Sequence, residues 1–350
     1  MPALLDFERA PGRYRVALRE PRPLFEHIDS VMLLAAGRPV AGLPATPTIG
    51  PELHRAARFF VRTVMLRPGS DPFTLLGLPP EFEVAQLREH MGDAFGEASL
   101  VLTCTHTHSG PGGCTHDVMD SIVTPGFVPE HVERIVEAAV GAILQAWRSA
   151  GPTELGLAQG TFEDAVPVAW NRSLKAYNRN PDVVPRTETE THLALDRGMK
   201  LLSLRRHGEL QSLLSLFGVH ATCVGNSLLK HDGDNKGYAA LHAEQRLKES
   251  GAEGAVAIFA QATAGDVSPY YHGPGDIVRR KKIKGDAEYV YAERNGRYQS
   301  ERALSLLMAR NEENIHGDID AIFSYVDFTT IKADPAFANG EAEAWTSEPC

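Results

Sequence analysis

Residues Lys200 to His220 read K-L-L-S-L-R-R-H-G-E-L-Q-S-L-L-S-L-F-G-V-H. Two leucine-rich runs, Lys200 to Arg205 and Gln211 to Gly218, flank the polar turn His207-Gly208-Glu209, which predicts a β-hairpin. The second strand delivers His220 just past its end. Upstream, Ala98 to Gly113 reads A-S-L-V-L-T-C-T-H-T-H-S-G-P-G-G, an apolar strand running into two histidines one residue apart. Alternate side chains of an extended backbone share a face, so His106 and His108 are expected to project together where that strand leaves its sheet. Pro111 and the glycines around it then end the strand and leave space beside the imidazoles.

Outward from these strands the chain alternates helix and strand signals. A helix is expected over 83–95 and a second from Pro129 to Ser149, whose Val132, Ile135, Val136, Ala139, Val140, Ile143, Leu144 and Trp147 recur at helical spacing. Strands are expected at Glu154 to Gln159, Ala255 to Gln261 and Ala321 to Thr329, with helices from Tyr238 to about Ser250 and from Tyr289 to Arg310. Before Pro80 the signal is patchy, and Phe59 to Leu66 is its clearest strand. No repeat and no linker divides the chain. The expected fold class is α+β, with central β-sheets flanked by helices, in a single domain over 1–350 that is weakly assigned over 1–80.

Composition narrows the partners. A chain of 350 residues with 43% hydrophobic content can bury a substantial core. Its formal charge of -10 argues against nucleic acid, whose binders present a cationic face. The first twenty residues carry Asp6, Glu8, Arg9, Arg13, Arg15, Arg19 and Glu20, without the apolar stretch of a secretory signal. As written, the chain is expected to be cytoplasmic. Cys104, Cys114, Cys223 and Cys350 are dispersed and form no C-x-x-C pair, so reduced thiols are expected instead of a zinc ribbon or a disulfide scaffold.

Three apolar strands stop at small-residue turns that carry chemically capable groups: Leu100 to His108, Leu213 to His220 and Val256 to Ser268. Sites in layered folds are commonly built where strands end. Zinc accepts imidazole ligands, and His106 with His220 offers two nitrogens. Asp266 and Ser268 read equally as turn formers or as catalytic groups. Asp234-Asn235-Lys236-Gly237 reads as a helix-start loop in which Asp234 or Asn235 caps the helix. No phosphate-binding glycine loop and no G-x-S-x-G elbow occurs. An amidohydrolase barrel, acting on a soluble small substrate, stays open as an alternative.

At these residues the chain resembles the neutral, non-lysosomal ceramidases. Thr105 to Gly113 matches a T-H-T-H-S-G-P-G-G signature, and Asn171-Arg172-Ser173 with Ala176-Tyr177 and Asn180-Pro181 looks like a second block. Asp196 and Met199 fit a third block. Phe217 to Thr222 with Gly233 to Ala239 is similar to a fourth, and Phe259-Ala260-Gln261 with Ala264 to Pro269 to the amidase box. Tyr270 stands where the family usually has asparagine, and Cys223 where it usually has serine.

The resemblance implies a zinc-dependent amidase that cleaves ceramide, or a related long-chain N-acyl lipid, to a sphingoid base and a fatty acid. It implies His106 and His220 as zinc ligands and His108 as an acid/base or orienting group. Ser268 would be the serine of the amidase box, Arg172 would face the scissile carbonyl, and Asp266 would orient an imidazole. It also implies a ceramide-like lipid partner met by peripheral membrane contact. The family's glutamate and tyrosine ligands come further along than Cys350, so the chain is expected to be an N-terminal portion of a longer enzyme. Two alternatives stand beside that expectation: His116, Asp117 or His231 completes the ligand set, or the chain is a non-catalytic lipid-binding relative.

Overall fold

The computed structural model describes short strands at 7–10, 13–16, 32–34, 63–65 and 101–103, residues 105–110, scattered positions over 128–148, and then 149–225, 231–269, 283–309 and 311–316. The helix expected over 83–95 and the strand expected from Ala321 to Thr329 lie outside the described residues. Within the helix expected from Pro129 to Ser149, positions 130, 138, 141, 142, 145 and 146 are helical, and Ala142 is buried.

Strands β1 (Phe7–Ala10) and β2 (Arg13–Val16) form an antiparallel pair. Strand β3 (Met32–Leu34) runs parallel to β4 (Thr63–Met65), which pairs antiparallel with β5 (Val101–Thr103). Thus β4 lies inside the strand expected at Phe59 to Leu66, and β5 opens the segment that leads to the first two histidines.

The largest described sheet contains β6 (Glu154–Thr161), β8 (Gly198–Arg206), β9 (Glu209–Phe217), β10 (Val256–Gln261) and β12 (Glu313–Ile315), in the order β10-β9-β8-β6-β12. Only the β9–β10 pair in it is parallel. This is an open mixed sheet, in line with the α+β expectation and unlike the closed parallel barrel of the amidohydrolase alternative. The predicted hairpin is present, with a tighter turn: Arg206 pairs Glu209, and His207 and Gly208 take φ of 52° and 81°. Positive φ at both central residues suits the right-handed twist of the flanking strands.

Period-two alternation assigns the sheet faces. Met199 and Leu201 of β8, Leu213 and Phe217 of β9, and Ala257 and Phe259 of β10 join the main core. Leu204, Leu214, Ile258 and Ala260 form a second cluster on the opposite face. Full burial of a Leu or Phe side chain contributes roughly 1.5–3 kcal/mol, so the hairpin is a major stabilising element of the described fold.

Two helices, α2 (Asp234–Glu249) and α3 (Asp286–Met308), add Ala239, Ala240, Ala243 and Leu247, and Ala303, Leu306 and Leu307, to the main core. Small side chains on α2 let α3 approach closely. A Cβ at Gly296 would lie 2.6 Å from the Asn235 carbonyl oxygen and 2.7 Å from the Ala239 nitrogen. That α2 begins at Asp234 and not at Tyr238 corrects the expected start by a full turn. Three shorter elements had no clear sequence signal: β7 (Trp170–Asn171), helix α1 (Leu174–Tyr177) and β11 (Val267–Ser268), where β11 pairs antiparallel with β7. No helix among the described residues is long and apolar enough to cross a membrane.

Candidate metal centre

The two histidine segments meet edge to edge. Thr107 forms an isolated parallel bridge with Ala221, and the His108 N–H donates to the Ala221 carbonyl at 3.1 Å. The Thr107 hydroxyl donates to the Asp232 carbonyl at 2.6 Å, while the Asp232 N–H donates to the Ser109 carbonyl at 3.0 Å. The expectation of an extended strand through His108 is corrected here. Strand β5 ends at Thr103, and His106 has φ of 61°, a left-handed conformation unusual for a residue with a Cβ. The two side chains share a site because the backbone turns between them, and not because a strand alternates.

Across that junction His106 Nε2 lies 3.1 Å from His220 Nε2 and 3.4 Å from His108 Nε2. The three rings each offer a ligand atom, and those atoms all lie within 4.8 Å of one another. His220 is 7% exposed, whereas His106 and His108 are open to solvent. Partial burial first, and then the charge of His220, hold the His106 pKa below the ordinary histidine value. A site that favours neutral imidazole suits metal ligation, which needs the lone pair free. Imidazole donors suit zinc, copper, iron and nickel alike, so the donor set fits a transition metal without selecting one. His231 is exposed and falls outside this group. His116 and Asp117 lie outside the described residues.

The buried histidine is held from several sides. Its N–H donates to the Val267 carbonyl at 3.0 Å, and its Nδ1 meets the Ala264 carbonyl oxygen at 2.5 Å. That carbonyl takes the place expected for the Asp266 carboxylate. Asp266 Oδ2 instead accepts from Asn171 Nδ2 at 2.7 Å. Asn235 is fully buried and donates through Nδ2 to the His220 carbonyl at 2.9 Å. A Cβ at Gly218, two residues before the histidine, would lie 2.2 Å from the Thr263 carbonyl oxygen, so that approach requires glycine.

Ser268 is 7% exposed in β11, opposite Trp170 of β7 and next in sequence to the Val267 that His220 bonds. Arg172 follows β7. Its N–H donates to the Asp266 carbonyl at 2.9 Å, and its exposed guanidinium donates to the Gly265 carbonyl at 2.7 Å. The backbone pairing of β7 with β11 therefore brings Arg172, Asp266 and Ser268 into one strip beside His220.

Sequence reasoning missed what Asp234-Asn235-Lys236 does. Asp234 accepts from the Val224 N–H at 2.7 Å and from the Asn235 N–H at 2.6 Å, so it serves both the loop and the helix start. Lys236 is 1% exposed and donates to the Phe217 carbonyl at 2.6 Å and to Gln299 Oε1 at 2.8 Å. Gln299 donates to Asn295 Oδ1 at 3.0 Å, and Asn295 donates to the Val168 carbonyl at 2.7 Å. This buried relay joins the end of β9 to the approach of β7 through α2 and α3. The signal available in sequence was polar side chains interleaved with small ones at the head of a helix, a pattern equally common at solvated caps.

Fold and site together define a mixed helix–strand scaffold with an imidazole cluster where its strands end. Residues 83–350 match the sequence profile described as neutral/alkaline non-lysosomal ceramidase, N-terminal, and the chain belongs to that family. It is 32% identical over 262 residues to the neutral ceramidase of Pseudomonas aeruginosa, an alignment covering 74% of this chain and 36% of that protein. It is 30% identical over 268 residues to the neutral ceramidase of Mycobacterium tuberculosis, covering 75% and 40%. The crystal structure of the Pseudomonas aeruginosa neutral ceramidase superposes with a TM-score of 0.60 at 30% identity, over 75% of this chain and 39% of that one. The chain thus spans about two fifths of the length of these relatives.

Proposed function

We propose that the chain forms part of a zinc-dependent amide hydrolase that cleaves ceramide, or a related long-chain N-acyl lipid, to a sphingoid base and a fatty acid. The observation that carries this reading is the convergence of His106, His108 and His220 from segments 114 residues apart. Support for the substrate class comes from the relatives, which are named neutral ceramidases.

In this reading His106 and His220 hold the metal through Nε2. Zinc, when bound, supplies Lewis-acid activation of water and of the amide carbonyl at neutral pH. His108, exposed beside the other two rings, moves a proton between water and the departing amine. Arg172 faces the negative charge that develops on the carbonyl oxygen, and Ser268 attacks the carbonyl or orients what attacks it. The Gly265 and Ala264 carbonyls hold Arg172 and His220 at neighbouring points of one turn, so the cation and the imidazole cluster share a scaffold. A ceramide-like substrate resides in membranes, and peripheral contact with a lipid surface belongs to the same proposal.

The test is fatty-acid release from ceramide by the full-length protein, with metal content measured in parallel. Stoichiometric zinc and release abolished by a chelator and restored by zinc are expected. Absence of both bound metal and hydrolysis would remove the proposal. Acyl-lipid binding without metal would shift it to a non-catalytic relative.

A further inference from the structure

We infer that Gln261 is a positioning residue that sets the separation of His106 and His220, an inference resting on the metal-centre reading above. Gln261 is the last residue of β10 and is half-buried. Its side-chain amide uses both N–H donors and one acceptor position on two backbones. Nε2 donates to the Val219 carbonyl at 2.5 Å and to the Thr105 carbonyl at 3.2 Å, while Oε1 accepts from the Val219 N–H at 3.2 Å. Val219 and Thr105 are the residues immediately before His220 and His106.

One residue beyond each histidine, Thr107 and Ala221 form their parallel bridge. The two imidazole-bearing residues are therefore bracketed, by one planar amide on the near side and by a backbone bridge on the far side. The near bracket matters most at His106, where φ is 61°. A side chain held in a sparsely populated backbone region keeps that conformation only where its surroundings over-determine it. The Gln261 bond to the Thr105 carbonyl fixes the peptide group that leads into that residue. A primary amide is the one common side chain that donates twice and accepts once from a single planar head. Glutamate would set an oxygen against two carbonyl oxygens, and methionine would keep the length and lose all three bonds.

The experiment compares the native protein with Gln261→Glu and Gln261→Met. Zinc affinity is measured by competition with a chromophoric chelator, and amide hydrogen exchange is followed residue by residue in the metal-free protein. Loss of an outer partner typically weakens a metal site by about 10- to 100-fold, and that loss is expected in both variants. Exchange should accelerate at the His108 amide in both and at the Val219 amide in Gln261→Met, with the β8–β9 hairpin unchanged. Affinity within twofold of native with unchanged exchange would overturn the inference. Acceleration spread across β8 and β9 would overturn it too, because Gln261 would then hold the sheet and not the site. If the native protein binds no metal, the metal-centre reading falls by itself, and exchange alone decides whether Gln261 clamps the two segments.

Discussion

The Nδ1 atom of His220 lies 2.5 Å from the carbonyl oxygen of Ala264. A carbonyl only accepts, so the neutral ring carries its proton on Nδ1 and turns the Nε2 lone pair toward His106. Orientation of a ligand imidazole by a carbonyl behind it is a recurring feature of metal sites. The contact leaves Nε2 as the ring nitrogen with which His220 can hold a metal.

Replacement of His106 or His220 by alanine should remove zinc binding, a loss of at least about 100-fold by comparison with outer-partner losses. His108→Gln should retain the metal with affinity within a few-fold of native and lower kcat by about 10² to 10⁴, the usual share of a general acid or base. Chelator competition and steady-state kinetics on the same preparations separate the two effects. Loss of metal in His108→Gln would make all three rings ligands, which their mutual distances allow.

Arg172 makes its contacts through an exposed guanidinium, so its removal should be felt in chemistry and not in folding. Arg172→Ala should lower kcat by about 10² to 10³, with stability changed by no more than about 0.5 kcal/mol. Ser268→Ala, in the paired strand, should lower activity at least as much without loss of metal. Thermal melting and ceramide turnover measure these outcomes, and a kcat unchanged in Arg172→Ala would place that guanidinium outside the reaction.

Four buried groups give the fold a pH signature. Burial alone brings Lys236 from 10.5 down to about 7. Burial above all raises Asp234 from 3.8 to about 7, and burial raises Asp232 in the same direction. Between 3.8 and 7 the folded chain holds the Asp234 proton more tightly, and Asp232 is shifted in the same sense, so these carboxylates make stability fall as pH rises. Between 7 and 10.5 the unfolded chain binds the lysine proton more tightly, so Lys236 makes stability rise with pH. Cys223, also raised by burial from a value of 9.0, opposes that rise at its alkaline end. Melting temperature should therefore increase from pH 7 to pH 9 in the native protein, and Lys236→Met should abolish that increase. An identical alkaline increase in Lys236→Met would show that the lysine proton is not its source.

The contact between α2 and α3 should be intolerant of a single methyl group. In Gly296→Ala the new Cβ would press on the Asn235 carbonyl and the Ala239 nitrogen, which are backbone atoms that cannot rotate away. Overpacking of this kind typically costs about 1–3 kcal/mol. Because Asn235 also supports the His220 carbonyl, the variant should lose zinc affinity as well as melting temperature. Chemical denaturation and chelator competition report the two losses, and a variant as stable as native would show that the helices can separate.

The β8–β9 hairpin was legible in the sequence because leucine-rich runs on either side of a short polar turn are local signals, although the turn is tighter than the three residues read for it. So were β6, β10 and the body of α3, each within a few residues of its ends. The candidate site was legible as a set of residue types: two histidines one apart and a third past a strand, which the structure brings together, with a serine and an arginine proposed beside them. Strands β7 and β11 were not legible, because two-residue strands have no period to read and exist only through each other. The start of α2 was missed because the polar residues that usually cap a helix in water here lie fully buried inside it.

The sequence by itself determined the α+β class, the hairpin and the identity of the chemically capable groups, all properties of short windows of side-chain pattern. Tertiary structure decided which of those groups meet, that a left-handed turn at His106 and not strand alternation brings the rings together, and that a backbone carbonyl orients His220. The physical reason is that each of these rests on a contact between distant segments. The bridge from Thr107 to Ala221 and the bonds from Gln261 to Thr105 and Val219 form only after the core has brought those segments to one edge.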